Sequence, residues 1–569
     1  MTDRNLKMCA LCFAMMFFTN VMAQNMLPTD WQIDFHKAHS VSTRGARQHS
    51  IVSTLLSWER QGYFAGDGDC TLSTKFDISD TQLQYVLKVK MQCDISRIEI
   101  NGKQIADTLK NQFWTDKNVF STFVLPKGIL VNGENEIRIE CSELGYTGGM
   151  SYTMIDMRPV DSHSQESLRV SLPTANHVSL SDSHSVVTLH YHASKRGAIR
   201  MRVENDFHKQ LLDSTIAVKQ GNSSIAIDLS RTCREPGFYQ LTATMHAFGY
   251  SSDVQWLAVK PEKVKCDTRT VAGFSSYWTW ALDELSAVKP QFTMQRSDSL
   301  SAKSRRDVYI VGMKSTDGVI VRGYYFVPRD GACHRAVLQV PGYGWGFEDI
   351  TGMLNDDTDR IELALCVRGH GLSRDVFNPG FGMPGVWGYK LYDRDSVSYR
   401  GIYMDCVRGV DFLCSRKEVD AARIAVKGGS QGGGLALATA ALCRDRIAAL
   451  AYFDPFPCDM RHQIQIRTTC ETELKNDLAY YGNPCTFADV MAIQDLIDSR
   501  SFAPMITCPT LYTAALQDDD CPVHGGFTAY NLMKSPKEYV VFPHDGHIEG
   551  FTHDAMIMHW LDKTLGKTE

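Results

Sequence analysis

The 569-residue sequence predicts two all-β sandwich domains followed by a mostly parallel, doubly wound α/β domain. Three observations carry this reading. Residues 27–160 and 168–262 consist of short alternating segments punctuated by Gly, Pro and Asn, as half-buried antiparallel strands do. From about residue 268 the apolar segments become near-continuous, and helical stretches or long loops separate most of them, as in a sheet covered on both faces. One such segment, Arg423-Ile424-Ala425-Val426, runs into Gly428-Gly429-Ser430-Gln431-Gly432-Gly433-Gly434 and then Leu435 to Leu442, which reads as strand, tight turn and helix.

The elements follow in order. Arg4 and Lys7, the apolar run Cys9 to Phe18 and the small-residue site Val21-Met22-Ala23 predict a secretory signal peptide over 1–23 and a secreted or periplasmic protein. No later segment has 18 consecutive apolar residues, so no membrane insertion of the mature chain is expected. In the first β region, Arg97 to Ile100 alternates and meets Asn101-Gly102, a hairpin signal. Phe120 to Leu125 is a strand, and Gly133-Glu134-Asn135 is a turn into the alternating Glu136 to Glu140. This run resembles the galactose-binding-like jelly rolls; the resemblance allows either a sugar site or a plain spacer, with Phe113 and Trp114 fitting a sugar face or a core. After a polar linker at 161–165, Val187, Leu189 and Tyr191 alternate with polar residues, as do Tyr239, Leu241, Ala243 and Met245, which suggests an immunoglobulin-like sandwich.

In the last region, 268–566, strands are predicted at Ala336 to Val340, Ile361 to Val367, Arg423 to Val426, Ile447 to Phe453, Thr510 to Ala515 and Tyr539 to Phe542. A terminal helix over Asp554 to Leu565 places Met556 and Trp560 on one face. The G-x-S-x-G between a strand and a helix is the nucleophile elbow of an α/β-hydrolase. Its turn forces the serine into strained geometry, and a Cβ on the flanking glycines would clash with the crossing strand and helix. Ser430 then stands beside a helix N-terminus that favours developing negative charge. A base and an orienting acid must follow in the chain order Ser, acid, His. Asp518, Asp519 and Asp520 follow one strand, and His544 and His547 follow the next, in loops at the carboxyl ends of parallel strands where ligands bind. The His-x-x-His spacing lacks a third metal ligand, so neither a metal nor another cofactor is expected.

Several pieces in order resemble the acetyl xylan esterase / cephalosporin C deacetylase family of carbohydrate esterases, over about 268–566. They are Arg368-Gly369-His370-Gly371-Leu372-Ser373, Tyr399-Arg400-Gly401-Ile402-Tyr403-Met404-Asp405, the elbow, Asp518-Asp519-Asp520-Cys521-Pro522 and Gly546-His547. The resemblance implies Ser430 as nucleophile, His547 as base and Asp518 as orienter. It implies an oxyanion hole of the backbone N–H groups of Gln431 and of Tyr343, in Pro341-Gly342-Tyr343. It implies an acylated carbohydrate as substrate and allows a homo-oligomer. Three positions depart: the family's H-G-Y is Pro-Gly-Tyr, the glutamine of R-G-Q-G is His370, and Ile548 interrupts the closing H-E.

Composition narrows the function classes. The formal net charge is −6, with 59 Lys and Arg against 65 Asp and Glu and no basic block, which argues against nucleic acid as a partner. Of 17 cysteines, 15 lie beyond the leader, scattered without C-x-x-C spacing; most are expected as buried small apolar residues, with one or two disulfides allowed. The expectation is a secreted serine esterase that removes short acyl groups, foremost acetyl, from polysaccharide or oligosaccharide. The alternatives are a prolyl-oligopeptidase-like serine peptidase, for which no propeller-blade repeat is visible, and a carbohydrate-binding protein with a degenerate hydrolase domain.

Overall fold

A computed structural model describes residues 26–28, 30–38, 49–53, 68–91, 94–109, 121–143, 155–160, 166–180, 185–246 and 250–566. Within the last span 345, 357, 380–384, 468–469, 472–473, 476 and 479–484 are excepted. The expected leader, the linker at 161–165, Phe113, Trp114 and Cys93 lie outside the described residues. The chain divides into two compact units, residues 1–261 and 262–569.

The first unit is built entirely of β-sheet among its described residues. A six-stranded and a three-stranded sheet share one apolar cluster, to which Trp31, Leu72, Ile98 and Ile139 come from the first and Leu87, Val89, Ile155 and Met157 from the second. The hairpin at Asn101-Gly102 is present: Ile100 pairs with Lys103, and the two turn residues have φ of 51° and 72°. The strand expected from Glu136 begins earlier, at Gly133. Asn135 is buried rather than exposed in a turn, because its amide donates to the carbonyls of Val131 and Gly133 and accepts from the Val131 N–H. A three-stranded and a five-stranded sheet follow around a second cluster that contains Val187, Leu189, Tyr191, Tyr239, Leu241, Ala243 and Met245, the inward-facing set read from the alternation.

The second unit is an α/β-hydrolase fold around one nine-stranded sheet. Its strands are β1 (Thr293–Arg296), β2 (Asp307–Lys314), β3 (Ile320–Val327), β4 (His334–Gln339), β5 (Ile361–Cys366), β6 (Val419–Gly429), β7 (Ala449–Phe453), β8 (Thr510–Ala515) and β9 (Lys537–Phe542). The spatial order is β1-β2-β3-β5-β4-β6-β7-β8-β9. From β5 across to β9 every pair is parallel; β1, β2 and β3 extend the sheet antiparallel, an edge the apolar runs did not reveal. Every residue of β4, β5, β7 and β8 is buried, which is why they read as near-continuous apolar runs; the polar residues inside β4 and β5, among them Arg335, Gln339 and Glu362, are buried too. The main helices are α1 (Phe274–Ala287), α2 (Ser398–Cys414), α3 (Gln431–Leu442), α4 (Met460–Ile466), α5 (Phe487–Ile497), α6 (Val523–Leu532) and α7 (Asp554–Thr564).

One expectation needs correction. The packed face of α7 is Ile557, Met558 and Leu561, with Trp560 at its margin and Met556 half-buried; Ile557, Leu561 and Leu565 repeat every four residues, so they track the core. No disulfide joins the 14 described cysteines, ten of which are buried, as small apolar residues are.

A buried charge network ties α7 to β4 and β5. Glu362 accepts from Arg306 (3.1 Å), Arg360 (2.9 Å) and Gln339 (2.7 Å), while Asp562 of α7 accepts from Arg335 (2.9 Å) and Arg360 (2.8 Å). Removing one partner from such a cluster strands the others without solvent. Glu362→Ala should therefore cost roughly 3–5 kcal/mol of stability. A denaturant titration of the purified variant checks this; an unchanged unfolding midpoint would show that the network contributes nothing.

Candidate active site

The turn from β6 into α3 sets the site. Ser430 adopts φ 58° and ψ −127°, a region that costs a non-glycine residue about 1–3 kcal/mol. Backbone bonds hold it there: its N–H donates to Phe453 O (3.1 Å), and its carbonyl accepts from Gly433, Gly434 and Phe456 N–H. The glycines of G-x-S-x-G have a steric reason. A Cβ on Gly428 would lie 2.3 Å from Gly432 O, and one on Gly432 would lie 2.6 Å from Val340 O. Only bare backbone lets strand and helix cross this closely.

The sequence left three aspartates and two histidines open. In the structure His547 Nε2 is 3.1 Å from Ser430 Oγ, and His547 Nδ1 is 2.7 Å from Asp518 Oδ2. Asp518 Oδ1 also accepts the N–H groups of Asp520 (2.8 Å) and Cys521 (2.7 Å). His544 is exposed. Asp520 takes another position: Oδ2 is 3.4 Å from His547 Nε2, and Oδ1 pairs with Arg467. Burial alone would push the His547 imidazole down. The charges of Asp518 and Asp520 and the bond to Asp518 outweigh it and hold His547 above its ordinary 6.5. The ring packs on Phe453, and Gly550, one helical turn after His547, has no Cβ because it would overlap that ring at 1.9 Å.

Gln431 is the first residue of α3, so its N–H has no acceptor within the helix. Its side chain is pinned: Oε1 accepts from Tyr399 OH (2.8 Å), and Nε2 lies 2.9 Å from His370 Nε2 and 3.4 Å from Pro341 O. His370 Nδ1 is 3.1 Å from Arg368 O. Burial pushes His370 down to about 4, so it is neutral, donating through Nδ1 and accepting at Nε2. The other motif residues fall into place around Arg368. Asp405 of α2 binds it at 2.9 Å, and a Cβ on Gly401 would lie 2.2 Å from its Nη1. Tyr343 follows β4, and its phenolic oxygen accepts from Val386 N–H (2.9 Å) and Trp387 N–H (3.3 Å).

Three residues were not singled out from the sequence. Cys521 places Sγ 3.7 Å from Ser430 Oγ; burial first, then the charges of Asp520 and Asp518, push its thiol well up, so it stays neutral. Arg467, on the last turn after α4, holds Asp520 and donates to its carbonyl (2.9 Å). Asp454, directly after β7, is wholly buried. Its signal was available, since it is an acid at a strand's carboxyl end between Ser430 and His547 in chain order. Among the described residues, two groups bring potential metal ligands within 4.8 Å of one another, Asp459–His462–His524 and Asp520–Cys521–His547. Asp459 Oδ2 in the first already accepts from Thr528 (2.7 Å) and pairs with His462 Nδ1 (2.7 Å), and in the second both His547 nitrogens face Ser430 and Asp518.

The elbow geometry predicts a position-specific cost. Gly432→Ala drives a Cβ against Val340 O and should destabilise the protein by about 1–3 kcal/mol. Gly352→Ala, with open space around it, should leave stability unchanged. Thermal melts of the two variants that coincide would refute the steric account.

A family model described as acetyl xylan esterase matches residues 262–564. The acetyl esterase Axe7A of Xylanibacter ruminicola is 26% identical over 365 residues, covering 60% of this chain and 78% of that protein. Among solved structures, an acetyl xylan esterase from Paenibacillus sp. R4 is 29% identical and covers 53% of this chain and 98% of that one, with a TM-score of 0.48. Acetyl xylan esterase 1 from Thermoanaerobacterium sp. JW/SL YS485 is 26% identical and covers 54% and 98%, also with a TM-score of 0.48. The matched residues take in more than half of the chain and the whole nine-stranded sheet: it belongs to the acetyl xylan esterase family and is a carboxylic ester hydrolase.

Proposed function

We propose that this protein is a serine esterase that removes short acyl groups, foremost acetyl, from xylan or its oligosaccharides, using Ser430, His547 and Asp518. The observation that carries the reading is the unbroken line Ser430 Oγ, His547 Nε2, His547 Nδ1, Asp518 Oδ2, with spacings of 3.1 and 2.7 Å. Ser430 Oγ attacks the ester carbonyl carbon as His547 Nε2 takes its proton. The oxyanion is met by the N–H groups of Gln431 and Tyr343. The tetrahedral intermediate collapses, His547 returns the proton to the departing sugar hydroxyl, and the acyl group stays on Ser430. Water, deprotonated by His547, then attacks the acyl-enzyme; the second tetrahedral intermediate breaks the bond to Ser430 Oγ, which takes the proton back from His547, and the carboxylic acid leaves. Asp518 holds the imidazole in the tautomer that presents a bare Nε2 to Ser430.

We infer that the regions 27–160 and 168–262 are two β-sandwich domains that serve binding or placement on the polymer rather than the chemistry. The two pairs of sheets with separate apolar clusters support this, and every group named in the mechanism lies between Tyr343 and His547. The leader-like residues 1–23 support action outside the cytoplasm. No helix among the described residues is long and apolar enough to cross a membrane.

A panel of acetylated xylo-oligosaccharides, longer-chain acyl esters and peptide amides tests the substrate class. Acetyl esters should be turned over fastest and amides not at all; faster amide cleavage would favour a peptidase. Ser430→Ala should lower kcat by roughly 10⁴–10⁶-fold with the fold intact. A folded variant that keeps a tenth of the activity would remove Ser430 from the nucleophile's role.

The two acids near His547 should separate by substitution. Asp518→Asn should cost roughly 10⁴-fold in kcat through the wrong imidazole tautomer. Asp520→Asn should cost far less and change the pH profile instead. Activity needs neutral His547, so kcat/KM rises with pH through a midpoint above 6.5, held there partly by the charge of Asp520. Without that charge the acidic limb should move to lower pH. An acidic limb that stays in place or moves up would show that Asp520 does not act on His547.

A further inference from the structure

We propose that Asp454 is a positioning residue of the hydrolytic site: a neutral carboxylic acid whose O–H donates to the Asp518 carboxylate and holds it against His547 Nδ1. This rests on the reading of Asp518 as the orienter.

Asp454 directly follows β7 and is 0% exposed. Its Oδ1 accepts from Tyr512 OH (2.6 Å) and its Oδ2 from Ala515 N–H (3.0 Å). Ala515 links the two acids: its N–H donates to Asp454 Oδ2 (3.0 Å) and its carbonyl accepts the Asp518 N–H (3.0 Å), which brings the two carboxyl groups within each other's reach. The other titratable groups against Asp454 are the buried phenols Tyr512 and Tyr452, and among the described residues no Lys, Arg or His pairs with it. Two carboxylates in contact in a dry interior cannot both be charged, so the pair carries one proton.

The hydrogen bonds decide where that proton sits. Asp518 accepts three N–H groups, from Asp520, Cys521 and His547. Asp454 has two donors and no contact with a cation. Burial first, then the charge of Asp518, push its carboxyl well above the usual range. An ionised carboxylate has about four lone-pair sites. Three N–H groups and the Asp454 O–H fill them all, which leaves Asp518 a single orientation. Asp520, Cys521 and Ala515 belong to the loop and strand end that carry Asp518 itself; Asp454 fixes it from the neighbouring strand. The strand that backs the Ser430 turn through Phe453 O therefore also backs the acid.

The test compares Asp454→Asn and Asp454→Ala in the full chain. The asparagine amide is neutral and still donates, so Asp454→Asn should keep kcat within about tenfold of wild type and leave the pH profile in place. Asp454→Ala should lower kcat by roughly 10- to 100-fold, the scale of a lost hydrogen bond to a charged group, with KM unchanged. A merely structural residue would lower the melting temperature without changing kcat per folded molecule. Infrared spectra at neutral pH supply a second readout: the C=O band of a protonated carboxylic acid should appear in wild type and Ser430→Ala and vanish in Asp454→Asn. If Asp454→Ala does not fold, Asp454→Asn and the infrared band carry the test. A folded, inactive Asp454→Asn, or a wild type without the band, overturns the proposal. Full activity of Asp518→Asn would instead overturn the orienter reading, whatever the band shows.

Discussion

The site exists only while the backbone at Ser430 is held at φ 58° and ψ −127°. That conformation is unfavourable alone, and the surrounding sheet supplies what offsets it. Phe453 at the end of β7 accepts the Ser430 N–H, while Val340 and Pro341 after β4 crowd Gly432 from the other side. The ends of two neighbouring strands thus grip one turn. The constraint reaches the chemistry in two ways. It lifts Oγ clear of the helix, and it leaves the first N–H groups of α3 without intrahelical partners, at the end where a developing negative charge is stabilised.

The electrostatic arrangement follows from burial. Asp518, His547 and Ser430 are all nearly excluded from water, so each charge must be met by protein groups. Asp518 is met by N–H donors from its own loop. Asp520, half-buried and tied to Arg467, adds negative charge on the Nε2 side of the ring. An imidazolium at His547 would therefore be stabilised from both nitrogens. The consequence is an imidazole whose proton affinity is raised by charge although burial opposes it.

Much of this was legible in the sequence because it rests on local rules. The glycines around Ser430, the apolar runs of β4 to β8 and the Asn101-Gly102 hairpin each follow from backbone sterics or side-chain period. The spacing alone could not choose among Asp518, Asp519 and Asp520, since all three sit in one loop; family resemblance pointed to Asp518, and geometry brings that residue to His547 Nδ1. The antiparallel edge β1 to β3 was missed because β1 is exposed throughout and β2 and β3 mix buried with half-buried positions. Asp454 was missed although its place at a strand's carboxyl end marked it as a candidate acid, because its burial and its partner Tyr512, more than 50 residues away, emerge only from the fold.

The departures from the family pattern are conservative in hydrogen bonding although not in residue type. A glutamine at position 370 would offer one acceptor and an amide donor. Neutral His370 offers the same pair: Nδ1–H toward Arg368 O, and Nε2 toward the Gln431 amide. The substitution works only if the imidazole stays uncharged, because a proton on Nε2 would face the Gln431 N–H. Full burial ensures that, by holding the ring near 4. Pro341 follows the same logic, since its contribution here is a carbonyl oxygen within reach of the Gln431 side chain, and proline retains that oxygen. The requirement at both positions is to fix the residue that begins α3, and through it the N–H that follows the serine. Residue identity is free to vary wherever a different side chain presents the same donors and acceptors to Gln431.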